Sequence, residues 1–335
     1  MRLVRLVQGR ESRRKPVFSF LGTDMSVGEH EGRVLRTRIY VDGYNFYYGC
    51  LKGSAHKWLN LYDLFANHVL PSILFEVDGR PVKFELLPQA IQYFTAKIIE
   101  RAAKSPDSVS SQARYHTALR KYLGARVEII EGYYSETRTR APRIDDADPG
   151  RPPRDCERVA IWKLEEKQSD VNLAINAYHD AMTGQIDHAV IVSNDTDLVP
   201  ALRMIRAHTP VSIGLVVPTR NHERNANKDL VDYSDWVRSH ILDRELAAAQ
   251  LPRVVRGGKT PTTKPDSWYA FPDLFGKAIE LATTVRGSRS KAFQWFDARS
   301  PYFDDQAPID LMNTEVGLRR VIEYMEEWIK RNPST

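Results

Sequence analysis

Ala189-Val190-Ile191-Val192-Ser193-Asn194-Asp195-Thr196-Asp197-Leu198 decides the fold, because a short apolar run leads directly into two carboxylates one residue apart. Val190 to Val192 read as a strand buried on both faces, as inside a parallel sheet. Leu198-Val199-Pro200-Ala201-Leu202 then opens a helix, with Pro200 tolerated in its first turn. Asp195 and Asp197 are therefore expected in a strand-to-helix loop, at the sheet edge where open α/β proteins bind ligands. A local reading competes with this one: Asp195 as a turn residue and Asp197 as a helix cap.

The same arrangement recurs upstream. Arg38-Ile39-Tyr40-Val41-Asp42-Gly43-Tyr44-Asn45 is a β-rich run that stops at an aspartate, with Gly43 supplying a turn and Asn45 a second oxygen ligand or a cap. The aromatics Phe46-Tyr47-Tyr48 suit the core more often than base stacking. Trp58, Leu61, Leu64, Phe65 and Val69 recur at helical spacing and read as core. Residues 90–96 and 126–132 read as strands separated by an amphipathic helix over 112–123. Strands alternating with helices in this way predict an α/β fold built on a parallel, right-handed sheet.

From Ser135 to Cys156 the composition turns polar and predicts an exposed loop, either a solvated insertion or a flap whose Arg138, Arg140 and Arg143 hold a phosphate backbone. Arg158 to Trp162 resumes a strand that runs into Glu165-Glu166-Lys167-Gln168-Ser169-Asp170-Val171-Asn172. Ser169 is placed to cap the next helix, leaving Asp170 in its first turn, where the helix dipole favours negative charge. Val171, Ala174, Ile175 and Tyr178 form the stripe expected to face inward.

Downstream, residues 211–218 make another buried strand and residues 235–238 a short edge. Residues 250–267, rich in Gly, Pro, Thr and Lys, read as a linker. Residues 268–335 carry two amphipathic helical patterns and read as a small helical interaction domain. Residues 1–36 lack sustained periodicity and are expected to form a flexible tail, so the main domain spans 37–249. The 335 residues allow two cores. No apolar run approaches the roughly 18 residues of a membrane span, and no signal-peptide order is evident, so the expected location is cytoplasmic. Two cysteines, Cys50 and Cys156, exclude a disulfide framework and a thiolate zinc site. A net charge of +5 permits a polyanionic partner without requiring one.

Acids at the ends of several parallel strands repel one another unless a divalent cation neutralises them. Hard oxygen ligands select Mg²⁺ or Mn²⁺, which activate water against phosphorus. Over residues 37–242 the chain resembles the NYN family of PIN-like nucleases: Asp42-Gly43-Tyr44-Asn45, Glu166-Lys167-Gln168-Ser169-Asp170-Val171 and Val192-Ser193-Asn194-Asp195-Thr196-Asp197 match its three acidic motifs in order. That resemblance implies a Rossmann-like PIN sheet flanked by helices and Mg²⁺- or Mn²⁺-dependent RNA cleavage. It also implies Asp42, Asp170, Asp195 and Asp197 as catalytic metal ligands, with Asn45, Lys167 and Ser193 in support. Asn194 departs from the glycine frequent in the family.

A second resemblance, through the Tyr40 to Gly49 opening and the Glu165 to Asn172 motif, is to NADH-dependent monooxygenases of bacterial nicotine breakdown. It implies NADH, O₂ and a small pyridine substrate. No Gly-x-Gly-x-x-Gly follows a strand to hold a dinucleotide. The C-terminal module is similar to the toxin-binding domain of Xre/MbcA/ParS-type antitoxins through Tyr302-Phe303 and the residues from Pro308 to Gly317, which implies a protein partner. With the sheet domain inert, the chain would act as an adaptor.

Overall fold

The computed structural model describes residues 4–6, 33–220 and 223–332. Most of the tail expected over 1–36 lies outside the described residues, although Val4–Leu6 is a short strand. Seven longer strands and six longer helices carry the rest. The strands are β1 (Arg33–Asp42), β2 (Arg80–Ala96), β3 (Val127–Pro142), β4 (Arg158–Lys167), β5 (His188–Val192), β6 (Ser212–Val216) and β7 (Trp236–Arg238). The helices are α1 (Ser108–Leu123), α2 (Ser169–Met182), α3 (Val199–His208), α4 (Pro272–Arg286), α5 (Arg289–Asp297) and α6 (Glu315–Arg331).

Across the sheet the order is β7-β6-β5-β1-β2-β3-β4, with Val4–Leu6 antiparallel on the outer side of β7. Neighbours from β7 to β3 all run parallel. The chain leaves β1 in one direction, through β2 and β3, and later returns to its other side with β5. That reversal makes the β1/β5 junction the topological switch point, where such sheets open a crevice beyond their carboxyl ends. Burial on both faces explains the unbroken apolar run of β5, all five residues of which are buried.

Three expectations need correction. Strand β1 starts at Arg33, four residues before Thr37, because Arg33 to Thr37 pair with residues 82–86 of β2. Of the stretch read as a loop from Ser135 to Cys156 only the part after Pro142 is one: β3 continues to Pro142 and pairs antiparallel with all of β4, from Tyr133↔Lys167 to Pro142↔Arg158. This ribbon carries alternating Thr, Arg and Glu, so its exposed faces hid the strand period in a polar composition. In α2 the inward residues are Leu173, Ala177 and Ala181, whereas Val171 and Ile175 are 59% and 60% exposed. Apolar residues lie on both sides of this helix, and the small alanines let it approach the sheet closely.

A buried polar triad sets the rotation of α2. Asp180 Oδ2 accepts from Arg38 Nη1 at 2.6 Å and from the Tyr40 hydroxyl at 2.7 Å, pinning the last turn of α2 to β1. On the far side of the sheet His188 is fully buried and held neutral, its pKa pushed down to about 3 by burial. It accepts from Trp236 Nε1 at 3.0 Å and stacks on Phe84.

The chain divides into two compact units, one holding residues up to Lys52 and Leu59–Pro261, the other Gly53–Trp58 and Thr262 onward. The border lies inside the stretch read as a linker; within that stretch Leu251 and Val255 are buried. In the second unit α4, α5 and α6 close around Phe275, Phe296, Phe303, Leu318, Val321 and Met325. No helix among the described residues is long and apolar enough to cross a membrane.

Removing Asp180 strands the Arg38 guanidinium among buried neighbours, and breaking a buried pair from one side costs about 3 kcal/mol or more. Asp180→Ala is expected to lower the urea-unfolding free energy by that amount with an unchanged slope. A loss below about 1 kcal/mol would show that the triad does not hold α2.

Candidate active site: an acidic cup at the switch point

Asp42 ends β1 and is only 4% exposed. Its Oδ1 accepts from the Asn45 backbone N–H at 2.9 Å, so the carboxylate caps the short helix Gly43–Phe46. The parallel register Val41↔Val192 places Ser193 beside it, and Ser193 Oγ donates to Asp42 Oδ2 at 2.7 Å. Gly43 starts this helix in place of the expected turn. A Cβ there would lie 2.6 Å from the Phe94 carbonyl oxygen and 2.8 Å from the Tyr93 ring, so glycine is needed for close approach to β2.

Asp195 follows β5 and caps the short turn Thr196–Leu198, its Oδ1 accepting from Asp197 N–H at 3.0 Å. The capping role expected of Asp197 thus belongs to Asp195. Asn194 fastens the neighbouring loop: its Nδ2 donates to the Asn225 carbonyl and its Oδ1 accepts from Asn227 N–H.

The second acidic motif arrives by the ribbon. Strand β4 returns antiparallel to β3 and ends level with Tyr133, so Glu166 and Asp170 reach the same edge of the sheet from the opposite direction. Gln168 turns the chain in the left-handed region at φ 77°. Gly132 lets the backbone cross, since a Cβ there would meet the Lys167 carbonyl at 2.2 Å. Ser169, expected to cap α2, donates its hydroxyl to Glu166 Oε1 instead.

Strand alternation separates Lys167 from Glu166. Lys167 Nζ lies 3.0 Å from Glu165 Oε2 on one face, while Glu166 turns to the face of the cup. The lysine singled out by sequence therefore neutralises a surface acid, and Glu166, quoted in the motif without a role, is the group that joins the aspartates. Its place one residue before Lys167, hence on the opposite face of the strand, was the signal available in the sequence.

Electrostatics tie these acids together. Burial, opposed by two hydrogen bonds and helped by the charges of Asp170 and Glu166, pushes the Asp42 pKa up to about 7. Asp170 is raised by burial and then by Asp195 and Asp197. Glu166 is raised by burial and by Asp170. Its charge also reaches the phenols of Tyr44, Tyr93 and Tyr134, raising Tyr134 to about 12 after the larger effect of burial. The rings of Tyr44 and Tyr48 lie tilted at 44° to each other, centroids 4.6 Å apart, and are partly open to solvent, whereas Phe46 is core.

Hard oxygen donors facing one another without a counter-charge suit Mg²⁺ or Mn²⁺. Asn45 Oδ1 adds a buried acceptor with no hydrogen-bond partner among the described residues. Also among the described residues, no three acids, histidines or cysteines converge tightly enough to enclose one ion. Mg²⁺ does not need such an enclosure, since it usually keeps several waters and binds through one or two carboxylates.

Because the folded-state pKa of Asp42 lies above its unfolded value, the folded protein holds the extra proton between about pH 4 and pH 7. Its stability contribution is present below pH 4 and is lost as pH rises through 7. In chelator, wild type should lose about 3 kcal/mol more than Asp42→Asn between pH 4.5 and 8. Mn²⁺ should restore wild type alone. Parallel pH profiles for the two proteins would contradict the burial of a repelled carboxylate.

The NYN domain family matches residues 151–240, and the antitoxin Xre/MbcA/ParS C-terminal toxin-binding domain matches residues 277–327. A 6-hydroxy-3-succinoylpyridine 3-monooxygenase of Pseudomonas putida is 55% identical over 297 residues, covering 88% of this chain and 95% of its own. A crystal structure of a protein of unknown function from Vibrio parahaemolyticus overlaps 65% of this chain and 98% of its own. At 18% identity and a TM-score of 0.32, that likeness is too slight to bear on fold or function. With a mostly parallel sheet, helices on its faces and acids at its switch point, the chain carries an NYN domain match over residues 151–240, PIN-like in fold, and belongs to the same family as the Pseudomonas monooxygenase.

Proposed function

We propose that the acidic cup performs metal-dependent hydrolysis of RNA phosphodiesters. The observation that carries this reading is the mutual electrostatic coupling of Asp42, Glu166, Asp170, Asp195 and Asp197 at the switch point. Asp42, Asp170, Asp195 and Asp197 would hold Mg²⁺ or Mn²⁺, which when bound supplies charge for the phosphoryl oxygens and acidifies water. Ser193 and the Asn45 N–H fix the orientation of the Asp42 carboxylate. Glu166, held by Ser169, stands where it can take the proton of an attacking water. Tyr44 and Tyr48 offer a partly exposed aromatic surface for a base beside the acids.

One specific observation favours a second reading. Similarity to the pyridine monooxygenase extends over nearly the whole chain, where the NYN match covers residues 151–240. On that reading the protein uses NADH and O₂ to convert 6-hydroxy-3-succinoylpyridine to 2,5-dihydroxypyridine and succinic semialdehyde, with the tyrosine-lined crevice accepting the ring. In either case the helical unit is a docking module for a protein partner, in keeping with its match to a toxin-binding domain.

A paired assay separates the readings. Purified protein with Mn²⁺ should cleave single-stranded RNA. Asp42→Asn and Asp170→Asn should lose at least about 100-fold in rate, a few kcal/mol of transition-state stabilisation. Glu166→Gln should lose about 10-fold or more, and Lys167→Ala should stay within about 2-fold. Intact RNA alongside substrate-dependent NADH loss that survives chelation would put the hydroxylase first.

A further inference from the structure

Beyond the cup, β3 and β4 continue as a two-stranded ribbon whose faces sort by alternation. One face carries Tyr134, Glu136, Arg138 and Arg140 of β3 opposite Glu166, Leu164, Trp162 and Ala160 of β4, with Arg158 beyond. Glu166 and Tyr134 belong to the cup, so this face leads outward from the acids in steps of two residues, about 6.7 Å each. On the opposite face Lys163 and Lys167 both fold onto Glu165.

Moving outward, the acid Glu136 is neutralised by Arg101 at 2.7 Å. Next comes Trp162, 56% exposed, with the Arg138 guanidinium over its ring at 5.0 Å. Arg140 and Arg158 then each donate to the other's carbonyl oxygen, at 2.8 and 2.6 Å, which lays both forks along the ribbon with N–H donors to spare. Two shallow clefts of about 340 Å³ border the indole, one lined by Arg101, Glu136 and Leu164, the other by Arg138, Arg140 and Ala160 together with Thr139 and Ile161. The strip ends at the acids Asp145, Asp146 and Asp148 of the loop that follows.

A half-exposed tryptophan on a ribbon gains little for folding, and three arginines on one face match a repeating negative charge. Guanidinium forks suit phosphates, and aromatic faces flanked by slots suit unpaired bases. We infer that this ribbon face binds single-stranded RNA, arginines on phosphates and Trp162 against a base, and leads it toward the acidic cup. The direction of travel rests on the phosphodiesterase reading; the binding itself does not require cleavage.

The test is fluorescence anisotropy of a labelled 20-nucleotide oligouridine with the full chain in chelator, which keeps binding apart from cleavage. Trp162→Ala should weaken binding about 5-fold or more, with Trp162→Phe recovering most of it. Arg138→Gln with Arg140→Gln should lower the slope of log affinity against log salt by about 1.4, two phosphates' worth. Thermal melts like wild type confirm folding, because these side chains are exposed. Failure of the full chain to bind the oligomer, or binding unchanged in both variants, overturns the inference. So does a drop in sedimentation mass with Trp162→Ala, which would make the face a contact between copies. RNA cleavage by Mn²⁺-loaded protein that ignores the ribbon variants sinks the ribbon alone. Ribbon-dependent binding without cleavage supports the ribbon and sinks the phosphodiesterase reading.

Discussion

A carboxylate that the fold will not let into water governs the rest of the structure. Asp42 is fixed by the end of β1, by Gly43's close approach to Phe94 and by hydrogen bonds from Asn45 and Ser193. Four further acids arrive around it from two directions, Asp195 and Asp197 behind β5 and Glu166 and Asp170 from the returning ribbon. Each arrival adds repulsion, and the fold carries that cost through packing elsewhere: the buried strands β5 and β6, and the Arg38–Tyr40–Asp180 triad that pins α2. Such concentrated like charge is what a polycationic or metal-assisted chemistry requires of its protein.

Much of this was legible in the sequence because it rests on short-range rules. Val190 to Val192 could only be a strand buried on both faces, and an aspartate at the end of such a strand has few places to go. The parallel sheet, the acids at its carboxyl edge and the separate helical unit follow from that logic. What escaped was set by alternation and by register. The ribbon looked like a loop because a strand exposed on both faces has no apolar period. Lys167 pairs with Glu165 while Glu166 faces Asp170, because neighbouring residues of a strand point to opposite faces. Of the stripe Val171, Ala174, Ile175 and Tyr178, Ala174 and Tyr178 pack against the core, whereas Val171 and Ile175 turn outward in the rotation that joins Asp180 to Arg38.

The similarity to a pyridine monooxygenase and the acidic cup differ in reach. Similarity speaks for the chain as a whole, whereas the cup is a local arrangement whose chemistry follows from charge and burial. The tyrosines around Glu166 and the ribbon face serve either substrate in physical terms, since a flat ring or a base finds the same aromatic surface. Charge separates the two: a phosphate backbone needs a cation among the acids, whereas a hydroxypyridine does not.

The central claim is that the acids form one cation site. Calorimetric titration of Mn²⁺ at pH 6.5, in two buffers of different ionisation enthalpy, tests it directly. Asp42 is expected to be largely protonated there, so binding should release a proton and the apparent heats should differ between buffers. Asp42→Asn should bind more weakly and release less, and Asp195→Asn should bind more weakly. Equal affinity in all three proteins, with no buffer dependence, would contradict the account.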